Sequence, residues 1–232
     1  MTFRQRGGDF PVVISSADKN LSLEKLRASY AAKRSAIRRR LREFDDVHRK
    51  RDDWAIFEEL VFCILTSNAG AKMGLKAVAA IRDILLDGTE DAIRGRLQHA
   101  YRYPGHANYV VVTRDYLKGL CGLRMKGLID SFNDAEERRD FFAKNKNIKG
   151  IGYKQASHFL RNIGFRGYAI LDKHVLRSLN EHGVIESAKP PASRKRYLEI
   201  EDKLKGFADA LGIDMDEVDL LLWSDKTGEI LK

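Results

Sequence analysis

Apolar residues recur at helical spacing through nearly the whole chain, and no other feature limits the fold as strongly. The spacing predicts helices over residues 21 to about 44, 54–65, 71–85, 90–100, 107–118, 133–144, 153–163, 173–182 and 194–211. Only residues 11–15 and 167–171 favour extended backbone, so the class is all-α. In the first helix Leu26, Tyr30, Ile37, Leu41 and Phe44 mark one face and Arg and Lys crowd the other, facing either solvent or DNA. Trp54, Phe57, Phe62 and His158 sit at helical spacing beside aliphatic residues and are read as core, while Gln155 is either a polar site candidate near Lys154 or an exposed helix position. Pro190, Pro191 and the glycines at 150, 152, 164, 167 and 183 punctuate the helices. With no internal repeat and no long Gly/Ser linker, residues 1–232 are expected to form one compact unit with two helical layers.

Composition narrows the function. A chain of 232 residues with 44% hydrophobic content can bury a genuine core, and 42 Lys plus Arg against 33 Asp plus Glu give net +9. That balance suits a protein that meets phosphate backbones. The two cysteines, Cys63 and Cys121, lack paired spacing, which excludes a cysteine-ligated zinc or iron–sulfur cluster. No apolar run approaches the roughly 20 residues that span a bilayer, so an intracellular protein with reduced thiols is expected.

The most informative segment is Asn147-Ile148-Lys149-Gly150-Ile151-Gly152-Tyr153-Lys154-Gln155-Ala156, between two amphipathic helical stretches. Gly150 and Gly152 permit φ > 0 and close backbone approach, so a tight turn there can aim amides outward at the start of the next helix. A phosphate fits such a turn without any base being read, although an ordinary interhelical turn would also use these glycines. Ile148 and Ile151 anchor the turn, and Lys154 opens the helix.

A helix over 153–163 rises about 1.5 Å per residue and carries the chain about 15 Å from Lys154. The turn at 164–167 reverses it, and five extended residues at about 3.3 Å each bring Asp172 back. A neutral lysine amine can attack an anomeric carbon while a carboxylate stabilises oxocarbenium-like charge, giving a Schiff base that permits β-elimination. An exposed lysine, with a pKa of about 10.4, is nearly all ammonium at neutral pH. Burial, Lys149 and the helix N-terminus are expected to favour the neutral form, and Asp172 to oppose it. Taken singly, Lys154 also reads as a solvated first-turn lysine and Asp172 as the cap of the helix starting at Lys173.

Together the hairpin, Lys154, the Asp172 loop and the helix end Leu65-Thr66-Ser67-Asn68 resemble the helix-hairpin-helix superfamily of base-excision DNA glycosylases. That resemblance implies two helical subdomains flanking a lesion cleft, with the helix-hairpin-helix at about 137–164. It also implies DNA contact through Gly150, Ile151 and Gly152, and backbone oxygens of Lys146, Ile148 and Ile151 offered to Na⁺ or K⁺. Lys149 stands where the family usually has proline. Residues 222–232 resemble the tail of type 2 8-oxoguanine DNA glycosylase/lyases. The implied function is excision of 8-oxoguanine from double-stranded DNA through a Lys154 Schiff base, followed by strand cleavage. Trp223 would stack on the flipped purine, Lys232 would enter the lesion pocket, and Asn68 would fill the space left by the extruded nucleotide. No other cofactor is implied, a nucleoid or cytoplasmic setting is expected, and a monomer is the simpler state for scanning DNA. The competing readings are a glycosylase for another oxidised base and a non-catalytic hairpin module that binds DNA.

Overall fold

The structure, a computed structural model, describes residues 16–50 and 52–230. Residues 11–15 and Lys232, both carrying expectations above, lie outside the described residues. Among those described, the order is α1 (Ser16–Lys50), α2 (Asp53–Leu65), α3 (Ala71–Ile81), a 3₁₀ turn (Arg82–Ile84), α4 (Glu90–Gln98), α5 (His106–Cys121), α6 (Met125–Asp130), α7 (Ala135–Lys144), α8 (Tyr153–Asn162), α9 (Lys173–Glu181), α10 (Arg194–Leu211) and α11 (Met215–Thr227). No described residue is in a strand, and the all-α expectation holds. Helix starts follow the short polar residues: Asp52, Thr89, Asp134, Ser193 and Asp214 each accept an amide of the helix they precede, at about 1 kcal/mol per cap.

Two hydrophobic cores organise these helices. In the first, α2 buries Ile56, Phe57, Leu60, Val61, Phe62, Cys63, Ile64 and Leu65. A helix apolar on nearly every face must sit at the centre, and residues from α3 through α8 contribute the rest of that core. The second core gathers Leu26, Ile37, Leu41 and Phe44 of α1 with buried residues of α9, α10 and α11. The first core is drawn from an unbroken stretch, Ile56 to Tyr168, whereas the second starts at Ala169 and borrows α1 from the other end of the chain.

The basic face of α1 is neither simply solvated nor wholly free for DNA. Arg38 pairs with Glu217 of α11 at 2.8 Å, Lys33 pairs with Asp225, and Asp45 receives Arg166 at 2.7 Å. Arg38 and Lys33 of the basic face thus tie α1 to α11, and Asp45 ties it to the turn after α8.

Residues 167–171 are non-helical, as their composition suggested, yet they form no strand. Their amides are met by side chains instead. The Gly167 N–H reaches Asp216 at 3.2 Å, that of Ala169 reaches Glu201 at 2.8 Å, and that of Ile170 reaches Asp219 at 3.2 Å. The Leu171 N–H points to the Tyr197 hydroxyl at 3.4 Å, and Tyr197 in turn donates to the Ala169 carbonyl at 2.6 Å. Buried amides must find partners, and here α10 and α11 supply them in place of a neighbouring strand.

Candidate active site

Four segments enclose a cleft of about 550 Å³, a size typical of small-molecule pockets. They are the turn from the α2 C-cap to the start of α3, one face of α8 from Lys154 to Arg161, the segment at 170–174, and one face of α11, with Pro190 beside them. Lys154 and Asp172 both line it, one supplied by each core, as do Asn68 and Trp223. Lys232 is not described, so the structure leaves its position open.

The turn before α8 places Lys154. Ile148 and Ile151 are buried in the first core, so the residues between them are held at both ends. Gly150 has φ +74, and a Cβ there would come within 3.0 Å of the Tyr109 ring. Gly152 departs from the expectation of positive φ: it is the N-cap of α8 in extended conformation, at φ −108 and ψ −168. It carries no side chain to cap the helix, and a Cβ there would meet nothing within 4 Å. Nearby, the Lys149 N–H donates to Thr113 Oγ1 at 2.9 Å, and Asn145 accepts the Asn147 N–H at 3.0 Å and donates to the Tyr116 hydroxyl at 2.8 Å.

Lys154 occupies the first turn of α8, half-buried in the cleft wall. Burial is the largest influence on it and pushes its pKa below the ordinary lysine value. Asp172 acts the other way, then Cys63, while Arg161 reinforces the lowering. The influential neighbouring cation is therefore Arg161, seven residues along α8, where Lys149 was expected. Among the described residues Lys154 and Asp172 are coupled through space with no direct ion pair recorded between them.

Asp172 is the N-cap of α9. One of its oxygens, Oδ1, accepts both the His174 and Val175 amides, at 2.8 and 2.9 Å. The cap fixes the carboxylate's direction and leaves Oδ2 outside the capping bonds. Its capping use is thus present in the structure, and it coexists with a place in the cleft.

Trp223 is half-buried in the middle of α11, touching the second core and the cleft. Asn68 is exposed two residues beyond the α2 C-cap, which is Thr66, so it is not the helix cap. Of the two readings of Gln155, the structure favours the one beside Lys154: it is half-buried, lines the cleft and donates to the Ser67 carbonyl at 3.5 Å. Phe57, Phe62 and His158 are buried and Trp54 packs against the first core, but His158 also reaches the cleft wall.

Sequence reasoning missed two charged residues on the cleft lining, Arg161 and Asp219. They are only 4% and 2% exposed and pair at 3.6 Å. Burial raises the Asp219 pKa to about 7, with Asp172 and Asp216 adding to the rise and Arg161 opposing it. A signal existed in the sequence for Asp219, which interrupts the apolar run Val218-Asp219-Leu220-Leu221-Leu222; Arg161, followed by Asn162, carried none.

Known proteins resemble this chain over most of its length. The model of a helix-hairpin-helix family described as 8-oxoguanine DNA glycosylase matches residues 37–213. The 8-oxoguanine DNA glycosylase/AP lyase of Korarchaeum cryptofilum is 40% identical over 201 residues, 86% of this chain and 91% of that protein. A crystal structure of the Methanocaldococcus jannaschii 8-oxoguanine glycosylase/lyase, in complex with a 15mer DNA containing 8-oxoguanine, aligns with a TM-score of 0.82 at 33% identity, covering 91% of this chain and all (100%) of that one. The 8-oxoguanine DNA glycosylase of Thermotoga maritima aligns with a TM-score of 0.82 at 34% identity over 92% of this chain and 100% of its own. With its hairpin, its lysine and its aspartate loop set in this all-helical frame, the chain belongs to the helix-hairpin-helix family of 8-oxoguanine DNA glycosylases.

Proposed function

We propose that this chain excises 8-oxoguanine from double-stranded DNA and then nicks the strand at the abasic site, with Lys154 as nucleophile and Asp172 as the charge-stabilising carboxylate. The observation that carries this reading is the meeting of Lys154 from one core and Asp172 from the other in a single cleft walled by Trp223. Burial favours the neutral amine. In the proposed sequence the flipped nucleotide enters the cleft and its base stacks on Trp223. As the glycosidic C–N bond breaks, the base leaves with the electron pair and takes a proton. The Asp172 carboxylate stabilises the positive charge on the sugar. The Lys154 nitrogen bonds to C1′ and gives up one proton; as the ring opens O4′ takes a proton, and the nitrogen, keeping its last one, becomes the iminium. Removal of the 2′ proton then expels the 3′ phosphate, and water releases Lys154.

The hairpin supports the DNA side of this reading. The uncapped start of α8 offers backbone amides to a phosphate beside Gly150, Ile151 and Gly152. The carbonyls of Lys146, Ile148 and Ile151 accept none of the backbone hydrogen bonds found outside the helices, which suits them to a monovalent cation that would steady the turn. Exposed Asn68 is assigned to the gap left by the extruded nucleotide, and Lys232 to the lesion pocket on the strength of its tail. No helix among the described residues is long and apolar enough to cross a membrane, and the protein is read as a monomer on DNA.

Borohydride trapping on duplexes containing 8-oxoguanine, thymine glycol or only normal bases tests the reading, with Lys154→Gln alongside. An adduct on 8-oxoguanine alone, absent in the variant, is expected. Trapping only on thymine glycol would change the substrate and keep the mechanism, whereas an adduct undiminished in Lys154→Gln would remove Lys154 from it.

A further inference from the structure

The proposed chemistry uses Lys154 and Asp172, yet the same cleft is lined by a second, buried pair of charges. Arg161 and Asp219 lie 3.6 Å apart, close enough to attract but beyond hydrogen-bond reach. Asp219 also accepts the Ile170 N–H at 3.2 Å, in the loop that delivers Asp172. Arg161 donates to Asn162 at 3.4 Å, stands 5.2 Å from the Phe44 ring, and leaves its Nε without a partner. An enclosed guanidinium with so few of its donors met is a poor choice for stability alone, because burying the charge costs more than this pairing returns.

We propose that Arg161 and Asp219, a buried ion pair that lines the cleft with Lys154 and holds the Ile170 amide of the loop leading to Asp172, are positioning residues for the reaction. Arg161 disfavours the ammonium at Lys154 and Asp219 favours it. The other groups facing Lys154 are Asp172 and Cys63, both favouring ammonium. Around Arg161 stand Asp216, Asp172 and Cys63, with Glu59 reached through Asn162. His158 and His174 share the cleft wall. The pair therefore adjusts how much attacking amine exists near neutral pH, while Asp219 also ties that adjustment to the loop carrying the catalytic carboxylate.

This inference rests on Lys154 being the nucleophile. The test is the pH profile of single-turnover nicking on a duplex with a preformed abasic site, in the full-length protein. Nicking by way of the amine rises with pH as ammonium loses its proton. Removing the cation in Arg161→Gln leaves the carboxylates unopposed and shifts the midpoint to higher pH; Asp219→Asn leaves the cation unopposed and shifts it to lower pH. Arg161→Lys keeps the charge and holds the midpoint near that of the parent. A merely structural role moves rates in one direction and leaves the midpoints together, so shifts of the same sign, or none, overturn the proposal. If Arg161→Gln does not fold, Asp219→Asn decides alone by whether its midpoint falls. Parent nicking that persists in Lys154→Gln removes the underlying reading, whereas loss in Lys154→Gln with unmoved midpoints removes only this inference.

Discussion

Two helices begin in the same cleft and begin differently. At the start of α8 the N-cap is Gly152, which has no side chain to offer, so the first-turn amides face outward unclaimed by any cap. At the start of α9 the N-cap is Asp172, whose Oδ1 takes two of those amides for itself. Both ends carry the partial positive charge of a helix N-terminus. One has no side-chain anion set against it; the other holds an anion of the protein's own and fixes its direction. What a helix start presents to the cleft therefore depends on a single residue, and this chain has one start of each kind, 20 positions apart in sequence, Gly152 and Asp172.

The contrast can be broken most sharply at Asp172. Asparagine caps a helix about as well as aspartate but carries no charge. Asp172→Asn is expected to keep the fold and lose on the order of 10²-fold or more in base excision. Asp172→Ala should lose the same activity and, in addition, about 1 kcal/mol of stability with the cap. Equal melting temperatures for the two variants would show that the cap contributes nothing.

The α8 end is probed with its two glycines. Gly150→Ala forces a side chain into the left-handed region and against Tyr109, which should cost about 1–2 kcal/mol and weaken duplex binding as the turn distorts. Gly152→Ala meets open space, so its stability should stay within about 0.5 kcal/mol of the parent while affinity for duplex falls. Unchanged affinity in a stable Gly152→Ala protein would mean that phosphate does not approach this helix end. The smallest effect is expected from Lys154→Met. A lysine whose pKa is lowered by folding costs stability at every pH below its unfolded value, so removing it should raise Tm at neutral pH. If roughly 1 kcal/mol is relieved, the rise is about 2–4 °C; a fall in Tm would mean that the ammonium is well accommodated.

The helices were legible because their apolar residues keep a strict spacing, and the range 194–211 matches α10 from end to end. The short α6 was missed, since six residues with a central Gly127 carry too little periodicity. Helix α11 was read only as a tail, because its apolar residues occupy every face and leave no amphipathic pattern. In the site, Lys154 and Asp172 stood out through the turn that precedes one and the reversal that precedes the other. Arg161 and Asp219 did not, because a charge within a helix is ordinarily at the surface and only tertiary packing turned these inward. The extended character of 167–171 was visible, but not that side chains from α10 and α11 would hold its amides, since those partners lie 26 to 49 positions away.

Those distant partners carry a consequence for the order in which the protein is made. The first core is complete once the chain reaches Tyr168, and domains fold as they emerge from synthesis. In the loop that leads to Asp172, the Gly167, Ala169 and Ile170 amides have no partners until Asp216, Glu201 and Asp219 have followed them out. A nascent chain released before α11 would thus have the hairpin side of the cleft finished and the loop opposite it short of two of its anchors, Asp216 and Asp219.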